Sequence, residues 1–439
     1  MLILAVNEGR GGGVVAVEDG RLLFALDAEK DGRRRNDGLT AELVARAAGR
    51  LAEVPDVVAL GGAGAVSDEP GTFFGQRVRL FCSSHERSHT MCAYGLAPPG
   101  GPEYYAVVRE RGLGAFHRVG DTGEVTHLGH VPADAGFDQF RDHAARHLSD
   151  GLPLLVSGAG GLDGDWNRRW RDCGLFPSVF VPPCPDDTGS ALGTAIDAQW
   201  YYTSAATLSW DLGAGEELVE DVDPDPARYD VRPFTPAEVA AHLVAGGLVG
   251  VARGRYELGP RGLGNRCVLA SPFAARATAR VNRARGRGTD HPVAAVCLQP
   301  DTGSWLAAPA EDPYRAFDHR VTAPELRALA GAGGTVRVQT VTPELNPGLA
   351  ELLAAFRAVA GVGVLCVTSL RERGRGLVNR TGDLLRFAEA HGLGGCVAGD
   401  RFVTPRAVTG QGRGSTRRQD LPSLRAPSAA AQRGQTRPT

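Results

Sequence analysis

The chain has 439 residues, a formal net charge of −2 and 43% hydrophobic residues, which is the composition of a globular protein large enough for about two domains. The nearly balanced charge excludes a general attraction to nucleic acid or to a membrane surface. MLILAVNEG reaches Glu8 too early for a signal peptide, and no apolar run approaches the roughly 20 residues that span a bilayer, so we expect a cytoplasmic protein.

Cysteine and lysine usage excludes several further classes. The eight cysteines contain no Cys-x-x-Cys pair, which argues against a zinc ribbon, a thioredoxin motif or a disulfide framework, and we expect reduced, mostly buried thiols. Lys30 is the only lysine and lies in EKDGRRR. A Walker A loop needs Gly-Lys-Ser/Thr and a pyridoxal phosphate enzyme needs a Schiff-base lysine, so both of these classes are excluded.

The N-terminal half alternates strands with helices. LILAV and VVAVEDGRLLFAL predict strands, with a tight turn at Asp19-Gly20, and an amphipathic helix follows over about residues 40 to 53. The later predicted elements are the helix HERSHTMCAYGLA, the strand YYAVV, a helix over about 136 to 148, the strand LPLLVS, and SVFV leading into the helix TGSALGTAIDAQW. This alternation, with glycine turns between elements, indicates an α/β core.

The acidic, proline-rich stretch from about 203 to 233 predicts a domain boundary. Capping boxes at Thr235 to Glu238 and Thr322 to Glu325, and Asn346 before Pro347, mark helix starts beyond it. The strands LVGVA, VAAVCL, TVRVQTV and VGVLCVT interleave with these helices. We therefore predict domains over 1–215 and 234–405, a linker over 216–233, and a disordered tail over 406–439.

His85 and His89 stand four positions apart in SHERSHTMCAY. On a helix this spacing puts both imidazoles on one face, where they could share a metal ion. His143 and His147 have the same spacing in DHAARH, on an ordinary amphipathic helix. The spacing alone therefore leaves open a metal pair and an ordinary pair of helical histidines.

Two further turns carry a similar ambiguity. Asp186 and Asp187 in VPPCPDDTGSALG stand between a strand end and a helix start, where carboxylates either cap the helix or face a metal–phosphate pair. The glycine-rich turn SGAGGLDGDW follows the strand LPLLVS, and such turns are common after strands.

The segment RGRYELGPRGLGNRCVLASP, residues 253 to 272, contains four arginines together with four glycines and two prolines. A helix would not tolerate so many glycines and prolines, and a buried strand would not tolerate so many charges. We therefore predict a loop that holds guanidinium groups at fixed positions, where planar forks of donors suit phosphate or carboxylate.

Taken in order, these segments resemble the O-carbamoyltransferase family of natural-product and nodulation-factor biosynthesis. The matching landmarks are His85-x-x-x-His89, SGAGGL, DDTGSALGTA, GRYELGPRGLGNRCVLASP, GGTVRVQTV and FRAVAGVGVLCVTSLRERG, which together cover roughly residues 80 to 405. The resemblance implies an N-terminal Kae1-like domain of the actin/hexokinase ATPase type, followed by a YrdC-like α/β domain.

The resemblance also implies a two-step reaction. Carbamoyl phosphate and ATP, with Mg²⁺, would form a carbamoyl-adenylate in the YrdC-like domain, and the Kae1-like domain would pass the carbamoyl group to a hydroxyl or amine of a natural-product intermediate. A metal ion, Fe²⁺ or another divalent cation, would be held by His85, His89 and Asp187. The implied catalytic residues are His85, His89 and Arg261, and the implied donor-binding residues are Arg255, Arg261, Asn265, Arg266, Arg337, Thr368, Ser369, Gly158, Gly160 and Gly161.

The chain departs from the family pattern at several positions, and it is shorter than is usual. Arg111-Gly112 stands where the family has Asp-Gly, and this arginine beside two histidines would disfavour a dication by about 1 kcal/mol, so a weakly metallated site with His85 or His89 as general base is an alternative. The other departures are Val367 and Arg371 in place of two asparagines, Gly288 in place of glutamate, His291 in place of arginine, Gly333 in place of aspartate, and EGRGGG without the family's His-Asp.

These departures keep two other functions open. A degenerate homologue could serve as the non-catalytic partner of an intact enzyme, and the same fold could use a different acyl or phosphate donor. A homodimer is the commonest assembly for soluble enzymes. If the chain is a non-catalytic partner, we expect instead a heteromer with an intact homologue.

Overall fold

The first sheet precedes the histidine pair in the chain. The computed structural model describes residues 1–406 except positions 33, 63, 99–102, 133, 275, 290 and 332. The strands of this sheet are β1 (Leu2–Asn7), β2 (Gly13–Glu18), β3 (Arg21–Asp27), β4 (Val57–Gly61), β5 (Ser67–Phe73) and β6 (Gln76–Ser83). Their order is β3-β2-β1-β4-β6-β5, with β1, β4 and β6 parallel. The predicted turn at Asp19-Gly20 joins β2 to β3, with positive φ at both residues, as a two-residue hairpin requires.

The second sheet follows the histidine pair. Its strands are β7 (Tyr104–Glu110), β8 (Leu113–Val119), β9 (Val125–His130), β10 (Leu154–Ser157) and β11 (Val179–Phe180), in the order β11-β10-β7-β8-β9. The helices of this half are α1 (Ala28–Gly32), α2 (Ala41–Ala48), α3 (His85–Leu96), α4 (Phe137–His147), α5 (Gly164–Asp172) and α6 (Ser190–Thr203). The predicted helix over 40 to 53 is shorter than expected, because Gly49, a poor helix former, follows its last turn.

The third sheet lies between residues 229 and 405. Its strands are β12 (Tyr229–Pro233), β13 (Leu248–Ala252), β14 (Arg266–Ala270), β15 (Ala294–Leu298), β16 (Asp318–Arg320), β17 (Thr335–Val341), β18 (Val364–Ser369), β19 (Gly395–Ala398) and β20 (Arg401–Pro405), in the order β12-β20-β19-β13-β14-β18-β15-β17-β16. The helices of this half are α7 (Pro236–Val244), α8 (Ala277–Ala284), α9 (Pro347–Ala360) and α10 (Thr381–His391). The predicted α/β fold class is therefore confirmed.

The helix-start predictions had mixed outcomes. Asn346 caps α9 as expected, since its side chain accepts the Leu349 N–H with Pro347 in the first turn. Thr235 precedes α7 but its side chain makes no cap bond, and the segment after Thr322 is a short 3-10 helix, Pro324–Leu329, whose N-cap residue is Ala323. Residues 1–405 pack as one compact unit, and the boundaries at 215 and 234 stay predictions.

The remaining global predictions concern cysteines, membrane spans and the tail. All eight cysteines are free and six are buried, as predicted. Among the described residues, no helix combines the length and the hydrophobicity needed to cross a bilayer. The predicted disordered tail lies outside the described residues from position 407 onward.

Helices α3 and α6 pack closely enough that one position between them must be glycine. A Cβ placed on Gly193 would lie 1.8 Å from the backbone oxygen of Ser88. Buried polar contacts tie the same helices together: Ser88 Oγ lies 2.9 Å from Thr194 Oγ1, and Arg87 Nε donates to Asp197 at 2.7 Å. Close backbone contact and these bonds fix where α3 presents its histidines.

We expect Gly193→Ala to lower the free energy of unfolding by about 1 to 3 kcal/mol, because the added methyl group has to push the backbones of α3 and α6 apart. Urea unfolding followed by circular dichroism measures this loss. Gly64→Ala is the matched control, since a Cβ at Gly64 meets nothing within 4 Å. Equal stability of the two variants would show that the helix contact relaxes without cost.

Candidate active site

The predicted histidine pair meets two carboxylates. Ser84 caps the start of α3 by accepting the Arg87 N–H, so His85 and His89 occupy its first two turns. Their Nε2 atoms lie 3.2 Å apart, and each lies 3.5 Å from Asp187 Oδ1. The predicted grouping of His85, His89 and Asp187 is therefore present in the fold.

Glu110 supplies a second carboxylate that the sequence analysis assigned to no role. It is the last residue of β7, and its Oε1 lies 3.6 Å from His89 Nε2. Arg111, where the family pattern places aspartate, is exposed in the turn that follows. The effect of Arg111 on cation binding stays a prediction, whereas its neighbour Glu110 directs a carboxylate toward His89.

The pKa shifts of this group reflect burial and mutual charge. Burial and the neighbouring His89 lower the pKa of His85, whereas burial and Asp187 raise the pKa of Glu110 against the opposing effect of His89. Burial acts to raise the pKa of Asp187, but its contacts with His89 and His85 outweigh this, and the pKa is lowered.

This donor set fits a divalent transition-metal ion. Ligand atoms bound at about 2.0 to 2.2 Å from one ion stand about 3 to 3.5 Å apart, close to the separations found here. Asp187 Oδ1 is buried and accepts no hydrogen bond from any described residue. Two imidazoles with carboxylates suit iron or zinc better than magnesium, which prefers oxygen ligands. His85, His89 and Asp187 would hold such an ion, with the Glu110 carboxylate beside His89.

The third sheet carries an arginine-lined cavity of about 490 Å³. Of the predicted donor-binding residues, Arg261, Arg337, Thr368 and Ser369 line it. The remaining arginines of its lining are Arg35, Arg287, Arg315 and Arg371, and the acidic side chain of the lining is Asp318. Six guanidinium groups facing one carboxylate favour an anionic ligand that carries several negative charges.

Burial and crowding make these arginines unusual. Burial, together with the charges of Arg337 and Arg315, lowers the pKa of Arg261 to about 9. Burial and Arg337 likewise lower the pKa of Arg315 to about 10, and burial and its cationic neighbours lower that of Arg371 to about 10. Cations that repel one another in a buried site gain from a bound anion, which replaces repulsion with attraction.

Three predicted binding residues lie elsewhere. Arg266 is fully buried and donates to the carbonyls of residues 253, 254 and 265 and to the Asn379 side chain. Arg255 donates to the carbonyls of residues 23, 214 and 215, and the Asn265 side chain bonds Arg255 O and Asn346. The structure does not bring Arg255, Asn265 or Arg266 to the wall of the arginine-lined cavity.

Glu257 organises the loop that carries Arg261, and the sequence analysis gave it no role. Its Oε1 accepts the backbone N–H groups of Leu263, Asn265 and Arg266 at 2.7, 2.5 and 3.2 Å. Lys30 donates to its carbonyl oxygen at 2.8 Å and pairs with Asp27. The signal available in the sequence was an acidic residue inside a glycine-rich, arginine-rich loop, where backbone N–H groups need acceptors.

We expect Glu257→Ala to lower the free energy of unfolding by about 3 kcal/mol or more, because two buried N–H groups and one part-buried N–H group lose their acceptor. Glu257→Gln is the matched control, since its side-chain oxygen can still accept. Urea denaturation of both variants tests this, and an alanine variant as stable as the glutamine variant would contradict the role.

The glycine-rich turn after β10 lies between the histidine–carboxylate group and the arginine-lined cavity and bonds residues of both. The Ala159 N–H donates to Glu110 Oε1, and the Leu162 carbonyl accepts from Arg261 at 3.0 Å and Arg337 at 3.1 Å. Gly158 has φ +81°, and a Cβ there would lie 2.4 Å from Arg109 O. The predicted glycines Gly158, Gly160 and Gly161 thus let this turn pack against Arg109 and Pro185.

Comparisons with known proteins agree with the predicted resemblance. A family model described as the carbamoyltransferase C-terminus matches residues 240–404. The 3'-hydroxymethylcephem-O-carbamoyltransferase of Amycolatopsis lactamdurans is 35% identical over 514 residues, which covers 92% of this chain and 99% of that protein. Nodulation protein U of Sinorhizobium fredii (strain NBRC 101917 / NGR234) is 34% identical over 226 residues, covering 51% of this chain and 40% of that protein.

Among solved structures, YeaZ from Pseudomonas aeruginosa is similar with a TM-score of 0.26 and 14% identity, covering 48% of this chain and 100% of YeaZ. The alignment with the Amycolatopsis protein is longer than this chain, so that relative contains segments that have no counterpart here. At 35% identity the alignment nevertheless spans almost the whole relative, and the chain belongs to the carbamoyltransferase family of enzymes.

Proposed function

We propose that the chain uses ATP to convert carbamoyl phosphate to a carbamoyl-adenylate and transfers the carbamoyl group to a hydroxyl or amine of a small natural-product intermediate. The observation that carries this proposal is the turn Ala159–Leu162, which bonds Glu110 at one end and Arg261 and Arg337 at the other. A donor cavity and a transfer site that share one rigid turn suit two consecutive reactions.

The arginine-lined cavity suits the first reaction. Arg261, Arg315 and Arg337 would neutralise phosphate charge as it moves from carbamoyl phosphate and ATP to the leaving phosphate and pyrophosphate. The loop backbone holds these groups in place before a ligand arrives, since Gly262 N–H donates to Ser369 Oγ at 3.0 Å. Little binding free energy is then lost in ordering the site, and more of it stabilises the charge that develops on the phosphate groups.

The histidine and carboxylate group suits the second reaction. A divalent cation bound there would supply Lewis-acid polarisation of a phosphate or carbonyl oxygen. The His85 side chain is 43% exposed whereas that of His89 is 1% exposed, so His85 is the imidazole of the pair that an acceptor can approach. We assign His85 the role of accepting the proton of the acceptor hydroxyl only when no metal ion occupies its Nε2 atom, because a metal-bound imidazole nitrogen has no free lone pair.

The first test is pyrophosphate release from ATP and carbamoyl phosphate by the purified chain, with and without added Mg²⁺ or Fe²⁺. Release that requires carbamoyl phosphate is the expected result. A second assay adds a 3'-hydroxymethylcephem as probe acceptor, because the Amycolatopsis relative is named for that group, and follows carbamoylated product by mass spectrometry. Absence of pyrophosphate release under every metal condition would favour the non-catalytic partner reading.

A different acyl phosphate donor is the second candidate, because the family departures face the donor cavity. Gly333, His291 and Arg371 all line it. The same pyrophosphate assay with acetyl phosphate in place of carbamoyl phosphate separates the two donors. Turnover with carbamoyl phosphate alone would exclude the alternative.

A further inference from the structure

A second group of side chains that could bind a metal ion lies where α3 meets strands β8 and β9. Glu86 from α3, His117 from β8 and His127 from β9 each place one donor atom so that the three atoms lie within 4.8 Å of one another. Glu86 Oε1 is 2.5 Å from His117 Nε2 and 3.5 Å from His127 Nδ1. His130 stands beside them, with its ring centre 4.2 Å from that of His127.

The hydrogen bonds of Thr90 indicate which nitrogen of His117 carries the proton. Thr90 Oγ1 donates its hydrogen to the Glu86 carbonyl at 3.1 Å, and it lies 3.4 Å from His117 Nδ1. With that hydrogen on the carbonyl, the hydroxyl oxygen faces His117 Nδ1 as an acceptor, an arrangement that favours a proton on Nδ1. The lone pair of Nε2 in a neutral His117 then points at the Glu86 carboxylate.

The lone pairs of His117 Nε2 and Glu86 Oε1 would repel each other at this separation. A cation must therefore lie between them, either a second proton on the imidazole ring or a metal ion. A proton would serve the Glu86–His117 pair alone, whereas His127 Nδ1 lies 3.5 Å from the same Glu86 oxygen. A single metal ion can bind all three side chains at once, and it binds imidazole rings in their neutral form.

We propose that Glu86, His117 and His127 form a second divalent-cation site, of the zinc class, separate from the group of His85, His89, Glu110 and Asp187. Two imidazoles and a carboxylate form a ligand set typical of zinc, with a fourth position left to water or His130. A hydrogen bond from His117 Nδ1 to Thr90 Oγ1, 3.4 Å away, would be the outer bond that usually orients a zinc-bound histidine. Only a slight opening of the Glu86–His117 pair is needed to admit the ion.

The site would fasten α3 to the edge of the second sheet. The ligands come from three separate elements, and β9 is the edge strand of that sheet. Glu86 and Thr90 directly follow His85 and His89 on the helix. A bound ion would therefore restrain the rotation of α3 and the direction in which His85 and His89 point. This site is independent of the transfer chemistry proposed above.

The experiment measures Zn²⁺ binding in a background where the first group is disabled, the double variant His85→Asn with Asp187→Asn. Metal-free protein is titrated with Zn²⁺ by isothermal calorimetry, and bound metal is counted after equilibrium dialysis. We expect the background variant to bind one equivalent, and the further change His127→Asn to weaken this binding at least tenfold. Glu86→Gln should weaken it similarly.

His147→Asn is the matched control, because His147 is an exposed histidine on α4 that belongs to neither donor group. It should leave the Zn²⁺ affinity of the background variant unchanged. His127 is 43% exposed on an edge strand, so its substitution should preserve the metal-free melting temperature. The proposal fails if the background variant binds no zinc, or if it binds zinc equally well with His127 replaced.

Discussion

Arg261→Ala is expected to lower carbamoyl-phosphate-dependent pyrophosphate release by about 10² to 10³-fold, while the protein stays folded. Arg261 lines the arginine-lined cavity and is held by the carbonyls of Leu162 and Tyr314. Its removal takes away a fixed donor aimed at moving phosphate charge, a loss that costs this much in comparable sites. Relief of its repulsion with Arg315 and Arg337 offsets part of the packing loss.

Arg253→Ala is the matched control for this prediction. Arg253 belongs to the same arginine-rich loop, but its guanidinium group pairs with exposed Asp400 at 2.9 Å and does not line the cavity. We expect pyrophosphate release within about twofold of the unchanged protein, because an exposed pair contributes little. Equal activities of the Arg261 and Arg253 variants would remove the cavity from the donor reaction.

Arg261→Lys refines the same test. Lysine keeps the positive charge but lacks the planar fork that reaches two acceptors at once. A lysine variant as weak as the alanine variant would show that geometry matters more than charge. A variant that recovers most of the activity would show that the cavity acts as a general positive field.

The loop around Arg261 also shows what a sequence can and cannot predict. The composition of residues 253 to 272 predicted a loop that fixes guanidinium groups, and the structure has such a loop up to residue 265. The prediction is wrong beyond it, because Arg266 begins the buried strand β14, where backbone carbonyls satisfy its guanidinium group. Which arginines face the ligand was not predictable, because backbone carbonyls compete for the same donors. Arg255 and Arg266 bond such carbonyls away from the cavity, whereas Arg261 bonds the carbonyls of Leu162 and Tyr314 and also lines the cavity.

Two other features were missed for different physical reasons. The hairpins β5–β6 and β8–β9 escaped the pattern analysis; β5 is largely exposed, so it lacks the apolar alternation that predicts strands. Glu110 was missed because the family pattern places the carboxylate at position 111, which is arginine in this chain. A shift of one residue at a strand end changes which side chain reaches the site. The cap signal at Thr235 predicted the start of α7 but not its bonding, since the Thr235 side chain makes no cap bond.

Asp187→Asn is expected to separate the two half-reactions. Asp187 Oδ1 lies 3.5 Å from both His85 and His89 and is buried without a hydrogen-bond donor among the described residues. An amide is a weaker metal ligand than a carboxylate, so we expect at least a tenfold loss of Fe²⁺ affinity, measured by dialysis. Carbamoylation of the probe acceptor should fall by about 10²-fold or more.

Pyrophosphate release by the same variant should stay within about threefold of the unchanged protein, because Asp187 does not line the arginine-lined cavity. Asp186→Asn is the matched control: its carboxylate accepts from Thr188 Oγ1 at 2.6 Å and stands outside the group of donors around the histidines. It should retain Fe²⁺ affinity. If Asp187→Asn abolished both half-reactions equally, the donor and transfer steps would share one site, and the connecting turn Ala159–Leu162 would no longer be the link between two.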